Sequence, residues 1–186
     1  MLTICFVGNF IERKLQRNKD EKAKYCFIDK VKNLDFLIKK YDYVFLTNDN
    51  REWIVWWCFP YNPIRITIKS GTVEKCAESI INFCSSCIGV DMADFYGALR
   101  EGEKEIHFYS FIELGKLMNY KLFFNTSVGT AIKIYLSKNT EISLDEIYQL
   151  INKIYISSNE MEYLVFNLDC LEYINKDLCD LFITIP

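Results

Sequence analysis

Asp91 and Asp94 stand three residues apart in Val90-Asp91-Met92-Ala93-Asp94-Phe95, between one amphipathic helical pattern and the next. At that spacing both carboxylates fall on one side of a helix start, where the positive end of the macrodipole favours them. Such an acidic corner can hold a cation, polarise a water or meet a basic partner. The plainer reading makes Asp91 an N-cap and Asp94 a first-turn acid. Two other groups of side chains invite chemistry. Cys84-Ser85-Ser86-Cys87 is the CxxC of the chain and His107 is its one histidine. A four-ligand zinc site would have to recruit the distant Cys170 or Cys179. The thiols fit a helical core stripe better: Val73, Cys76, Ala77, Ile80, Cys84 and Cys87 recur at helical spacing. His107 alternates within Glu105-Ile106-His107-Phe108-Tyr109 as a strand side chain, with no Ser or Cys partner nearby for a triad. No metal and no cofactor are expected.

Composition bounds the rest. A chain of 186 residues with 51% hydrophobic and 16% aromatic content holds enough apolar material for one sizeable core or two small subdomains. Its formal charge of −3 supplies no positive field for phosphates, so nucleic acid is not an expected partner. No apolar run approaches the roughly 20 residues that span a bilayer. The start, Met1-Leu2-Thr3-Ile4-Cys5-Phe6-Val7-Gly8, lacks a basic leader and reads as a strand, so the expected location is the cytoplasm, with no membrane partner. The eight cysteines then read as buried thiols.

The elements that must position the acidic corner follow in order. Leu2–Phe10 reads as an apolar strand. A basic stretch (Arg13, Lys14, Arg17, Lys19, Lys22, Lys24) then reads as a loop and helix start. Phe27, Val31, Leu34, Ile38 and Tyr41 recur at 4, 3, 4, 3 and predict a helix against a sheet. Asp42–Thr47 predicts a second buried strand, completing a βαβ unit with a parallel pair. Trp53–Phe59 and Ile64–Ile68 flank Pro60 and Pro63 as strands of a hairpin. Within the first of them, Trp53, Trp56 and Trp57 read as core or as a subunit contact. A helix over Gly71–Cys87 leads to the corner, and Met92, Phe95, Tyr96 and Leu99 define the helix after it.

The last third is the most regular. Ile106–Phe111 predicts a strand, and Ile132, Ile134 and Leu136 alternate along another. Ser143-Leu144-Asp145-Glu146 is a capping box, opening a helix with Leu144, Ile147, Tyr148, Ile151, Ile154 and Tyr155 on one face. Leu164–Phe166 and Leu181–Ile185 are strands joined by Asn167–Asp180. These elements predict an α+β sandwich of one sheet with helices against it.

This order resembles the C-terminal half of the bacterial cell-division GTPase FtsZ, a tubulin relative. Val90-Asp91-Met92-Ala93-Asp94-Phe95 resembles the family's synergy loop, Asn-x-Asp-x-x-Asp, with Gly89 standing where the Asn would be. Ile142–Ile147 resembles the helix start after the family's sandwich strand. Asn167-Leu168-Asp169 followed by Asn175-Lys176-Asp177-Leu178 resembles its final β-hairpin. Leu2–Phe10, Phe27–Tyr41, Asp42–Asn50 and Gly71–Cys87 resemble the end of its nucleotide-binding domain and its central helix.

The resemblance implies an α/β fold in two parts. Residues 1–88 would be a remnant of the nucleotide-binding domain plus the central helix, and residues 89–186 the sandwich domain. The family's phosphate loop, Gly-Gly-Gly-Thr-Gly-Thr-Gly, has no counterpart in this sequence, whose seven glycines are scattered. The expectation is therefore a protein that hydrolyses no GTP alone. It would supply Asp91 and Asp94 in trans to the nucleotide pocket of a complete FtsZ-like partner, or cap its filament through Gly89, Val90, Asp91 and Asp94. The alternative is a stand-alone module that forms a homodimer through Trp53, Trp56 and Trp57, covering sheet edge that the shortened first domain would expose.

Overall fold

The computed structural model describes residues 2–8, 23–48, 51–57, 63–85, 90, 92–99, 105–120, 129–158, 161 and 163–185. Nine strands form one sheet: β1 Leu2–Val7, β2 Ala23–Ile28, β3 Tyr43–Asn48, β4 Glu52–Trp57, β5 Ile64–Ile68, β6 Glu105–Glu113, β7 Gly129–Ser137, β8 Tyr163–Leu171 and β9 Leu178–Ile185. Their spatial order is β2-β1-β3-β4-β5-β6-β9-β7-β8. The helices are α1 Leu34–Lys40, α2 Val73–Ser85, α3 Met92–Leu99 and α4 Leu144–Ser157, with a 3-10 turn at Leu114–Tyr120. The fold is the expected mixed α/β class. Residues 1–88 and 89–186 contribute to the same sheet, through the parallel β5/β6 ladder in which Ile66 faces Ile106.

The first third differs from its sequence pattern. Phe27 belongs to a strand, parallel to β1 with Phe6 opposite Phe27. The reason is a period of two: Tyr25 and Phe27 pack into the main aromatic core, while Cys26 and Ile28 pack under α1. The stack of Phe27 on Phe6, at 5.7 Å, is available only to a strand side chain at that register. The helix begins instead where the Asn33 side chain accepts from the Phe36 N–H, a cap that the spacing of apolar residues does not reveal. Val31, Leu34, Ile38 and Tyr41 still cover one face of the sheet. β1 and β3 are parallel neighbours, as expected, and Asp42 ties them by accepting from Thr3 N–H and Oγ1 at 2.7 and 2.8 Å. β4 and β5 form the expected antiparallel pair.

In the last third the sheet is covered on both faces. Every residue of β7 is buried. Ala131 and Phe182 join the core beneath α2 and α3, whereas Ile132, Ile134, Leu181 and Ile183 join a second core with Ile147, Ile151 and Ile154 of α4. Burying each of those isoleucines is worth about 1.5–3 kcal/mol. The Ser143–Glu146 capping box forms in full. Leu144, Tyr148 and Tyr155, expected on the buried face, are about half exposed, because only the 147–151–154 ridge reaches the sheet. The final pair is not a hairpin: β7 lies between β8 and β9, parallel to one and antiparallel to the other. The connection crosses the end of β7, where Asp177 accepts from Ser137 N–H (2.7 Å) and Thr140 Oγ1 (2.8 Å).

Helix α3 sits close to the sheet because Gly129 has no side chain. A Cβ there would lie 1.6 Å from the Ala98 carbonyl oxygen. Gly129→Ala must therefore push α3 off β7, and should cost about 1–3 kcal/mol or more in urea denaturation. Adding Ala98→Gly should restore nothing, since the clash is with backbone.

Candidate functional site

The acidic corner lies between α2 and α3. Of the expected stripe on α2, Cys76, Ala77 and Ile80 are buried and Val73 partly so, and Ile81 and Phe83 are buried beside them. Helix α3 buries Phe95, Tyr96 and Leu99 in the same core, where Phe95 meets Phe182 edge-on at 4.9 Å. Val90 is partly buried against that core, and Asp94 is exposed in the first turn of α3. Gly89, Asp91 and Cys87 lie outside the described residues, as does the Cys84 side chain. The corner is thus described at Val90 and Asp94 and in the helices that hold it.

What holds α2 is a set of buried polar side chains that the sequence pattern does not advertise. The last turn of a helix leaves carbonyls without intrahelical donors, and α2 has no basic residue of its own in that turn. Lys133, fully buried in the middle of β7, supplies the charge from the sheet. Its Nζ donates to the Asn82 carbonyl (3.1 Å), to Asn167 Oδ1 (2.5 Å) and, as an ion pair, to Asp169 Oδ2 (2.9 Å). All three ammonium protons are placed. Asn167 in turn donates from Nδ2 to the Phe83 carbonyl (3.3 Å). A cation at a helix C-terminus also complements the dipole. Burial pulls the Lys133 ammonium pKa below its usual range, and the Asp169 carboxylate opposes that pull.

One turn earlier, Asp180 of β9 gathers a second set. Fully buried, it accepts from Ser79 Oγ, from the Tyr135 hydroxyl (3.0 Å) and from the Phe111 N–H (2.9 Å), with Lys75 Nζ at 3.5 Å. Burial first, and then Asp180, pushes the Tyr135 hydroxyl and the Cys76 and Cys179 thiols up, so all three stay protonated. The Phe111 bond fixes a bulge in the β6/β9 ladder between Tyr109 and Ile112. There Phe111 adopts φ +56°, unusual for a bulky residue, and its ring stays exposed beside Lys75 at 4.7 Å. Ser79 and Tyr135 point inward with every oxygen engaged, so the cluster fastens α2 to the sheet rather than presenting a nucleophile.

The tryptophans divide. Trp53 is fully buried and donates from Nε1 to the Val73 carbonyl at the start of α2 (3.1 Å). It therefore has no surface to lend to a partner. Trp57 stacks on Tyr43 at 5.6 Å and meets Tyr96 of α3 edge-on at 4.8 Å, half-buried. Trp56 is half-buried on the opposite face, toward α1. His107 is the expected strand side chain, with Glu105 Oε1 3.1 Å from its Nε2. Among the described residues no group of three or more His, Cys, Asp or Glu side chains is placed to hold a metal, and no helix is long and apolar enough to cross a membrane.

Lys133 and Asp180 escaped the sequence reading because each sits at an every-other position of a strand, where a polar residue ordinarily faces water. The available signal was Lys133 and Tyr135 within the strongly apolar Ala131–Leu136.

Lys133→Met keeps the length of the stem and strands the Asn82 carbonyl, Asn167 and Asp169. It should cost about 3–5 kcal/mol in chemical denaturation, several times the effect of Asp94→Ala. A second expectation concerns acid. Burial, then Lys69, holds the His107 pKa below its ordinary value, against the pull of Glu105. The unfolded chain therefore binds the proton first as pH falls through about 6.5, and native stability declines from pH 7 toward pH 5. His107→Gln should flatten that part of the stability–pH curve, leaving stability above pH 7 without a histidine contribution.

No protein-family model matches the chain, and no curated protein does. Solved structures are similar over part of it. An empty FtsZ dimer from M. jannaschii aligns with a TM-score of 0.47 and 12% identity, over 61% of this chain and 36% of that one. CetZ from Methanosaeta thermophila strain DSM 6194 gives 0.42 and 10%, over 61% and 36%. A GTPγS-form protofilament of TubZ from Bacillus thuringiensis serovar israelensis gives 0.39 and 11%, over 61% and 33%. The chain thus matches about a third of the length of each of these proteins.

Proposed function

We propose that this chain is a non-hydrolysing interaction protein that offers the acidic junction between α2 and α3 to an FtsZ-like partner, modulating or capping its polymer. One observation carries the reading: α2 is fastened near its end by Lys133 and Asn167, α3 is seated on the sheet through Phe95 and Gly129, and Asp94 in the first turn of α3 is exposed. A helix start seated in this way presents Asp94 at little entropic cost on binding. In this reading Asp91 and Asp94 meet the partner's nucleotide face, and Gly89 and Val90 shape the contact. The chain needs no nucleotide of its own, in keeping with its scattered glycines.

The alternative is a self-associating module without a polymer role. It is favoured by the half-exposed Leu144, Tyr148 and Tyr155 on α4, and through the tryptophans it would rest on Trp56 and Trp57 rather than Trp53.

The test adds the purified chain to a polymerising FtsZ-like protein with GTP, reading phosphate release and pelletable polymer. The wild-type chain should change one or both, and Asp91→Ala with Asp94→Ala should abolish that change while costing about 1 kcal/mol or less of stability. Calorimetry should show no saturable binding of GTP or GDP to the chain alone at micromolar concentration. An unchanged effect from the double variant, or saturable nucleotide binding, overturns the proposal. No effect on polymer, together with a dimer in sedimentation, selects the alternative.

A further inference from the structure

Cys5 and Cys26 are direct register partners on the parallel strands β1 and β2. Their side chains lie on the same face, in the small core closed by α1, with Cys5 fully buried and Cys26 partly exposed on the edge strand. Neighbouring strands run about 4.8 Å apart, inside the roughly 4.4–6.8 Å between Cα atoms that a disulfide spans. Both are free thiols in this structure. Among the described residues the other cysteines lie apart: Cys76 belongs to the core under α2, Cys179 to the core on the opposite face of the sheet, and Cys170 is exposed on β8.

We propose that Cys5 and Cys26 form a reversible dithiol–disulfide pair, oxidised by small-molecule disulfides, that staples the edge strand β2 to the sheet. The two thiols have different roles. Cys26 is the accessible one and attacks first. Cys5, whose pKa burial and the adjacent Cys26 push up to about 12, stays protonated until that attack has occurred. With glutathione disulfide as oxidant, Cys26 Sγ gives up its proton and bonds to one glutathione sulfur, releasing the other half as glutathione thiol. Cys5 Sγ then attacks Cys26 Sγ, and its proton leaves with the second glutathione. One protein S–S bond and two glutathione S–H bonds replace two protein S–H bonds and the S–S bond of the oxidant. Tyr41, just past the end of α1, packs in the same small core as the pair.

The staple would close residues 5–26 into a loop and hold β2, which among the described strands pairs only with β1. It should raise the melting temperature by about 5–10 °C, fully reversed by dithiothreitol.

The experiment treats the native full-length chain with excess glutathione disulfide, blocks remaining thiols with an alkylating agent and maps the peptides by mass. The expected product joins the Cys5 and Cys26 peptides, with both thiols lost together. Cys5→Ser should stop the reaction at a glutathione adduct on Cys26, and Cys26→Ser should leave Cys5 alkylatable only after unfolding. Wild-type mapping decides the matter even where a variant folds poorly. A persistent wild-type adduct on Cys26, an oxidised product linking other cysteines, or two thiols unchanged after prolonged oxidation would each overturn the proposal.

Discussion

The structure turns on one buried ammonium. Lys133 lies fully buried in the middle of β7, one strand in from the edge of the sheet, and an unpaired charge in such a place is strongly disfavoured. It is tolerated because three acceptors converge on it, one of them the Asn82 carbonyl at the end of α2. The same contact therefore satisfies a charge and ends a helix. That contact ties the last described turn of α2 to β7. The segment leading to α3 and Asp94 starts from a point the sheet has set.

Asp180 repeats the arrangement with the opposite sign. A carboxylate under α2 collects a hydroxyl from the helix, a phenol from β7, an ammonium and a backbone N–H from the β6 bulge. Removing one donor would leave the rest facing a partly unsatisfied charge, so the set behaves as a unit. It also accounts for the positive φ at Phe111, since a regular ladder would carry that N–H away from Asp180. The polar clusters Lys133–Asn167–Asp169 and Asp180–Ser79–Tyr135 occupy the space between α2 and the sheet that the aromatic core, with Phe83, Phe95, Phe108 and Phe182, leaves at its edge.

Much of the fold was written in local chemistry. The capping box at Ser143, the alternation of Ile132, Ile134 and Leu136, and the Cys76, Ala77 and Ile80 part of the α2 stripe each depend on neighbours within one or two turns, and each forms as the pattern predicts. The helix expected from Phe27 failed for a reason of the same scale. Residues 25–28 satisfy a period of two as well as a longer helical one, and the stacking of Phe6 on Phe27 decides between them across a separation of 21 positions. The expected final hairpin failed similarly: two strands joined by a short connection pair by default, but β7, buried along its whole length, lies between them and pairs with both.

The sequence by itself determined the mixed α/β class and most element positions, because these follow from spacing along the chain. Only the tertiary structure decided that β7 is covered on both faces, that β8 and β9 are parted by it, and that Lys133 and Asp180 point at a helix instead of water. A strand's period of two says that alternate residues share a face; it does not say what lies over that face. Burial of a charge is a property of the covering layer, and for Lys133 that layer is drawn from residues 51 and more positions before it in the chain.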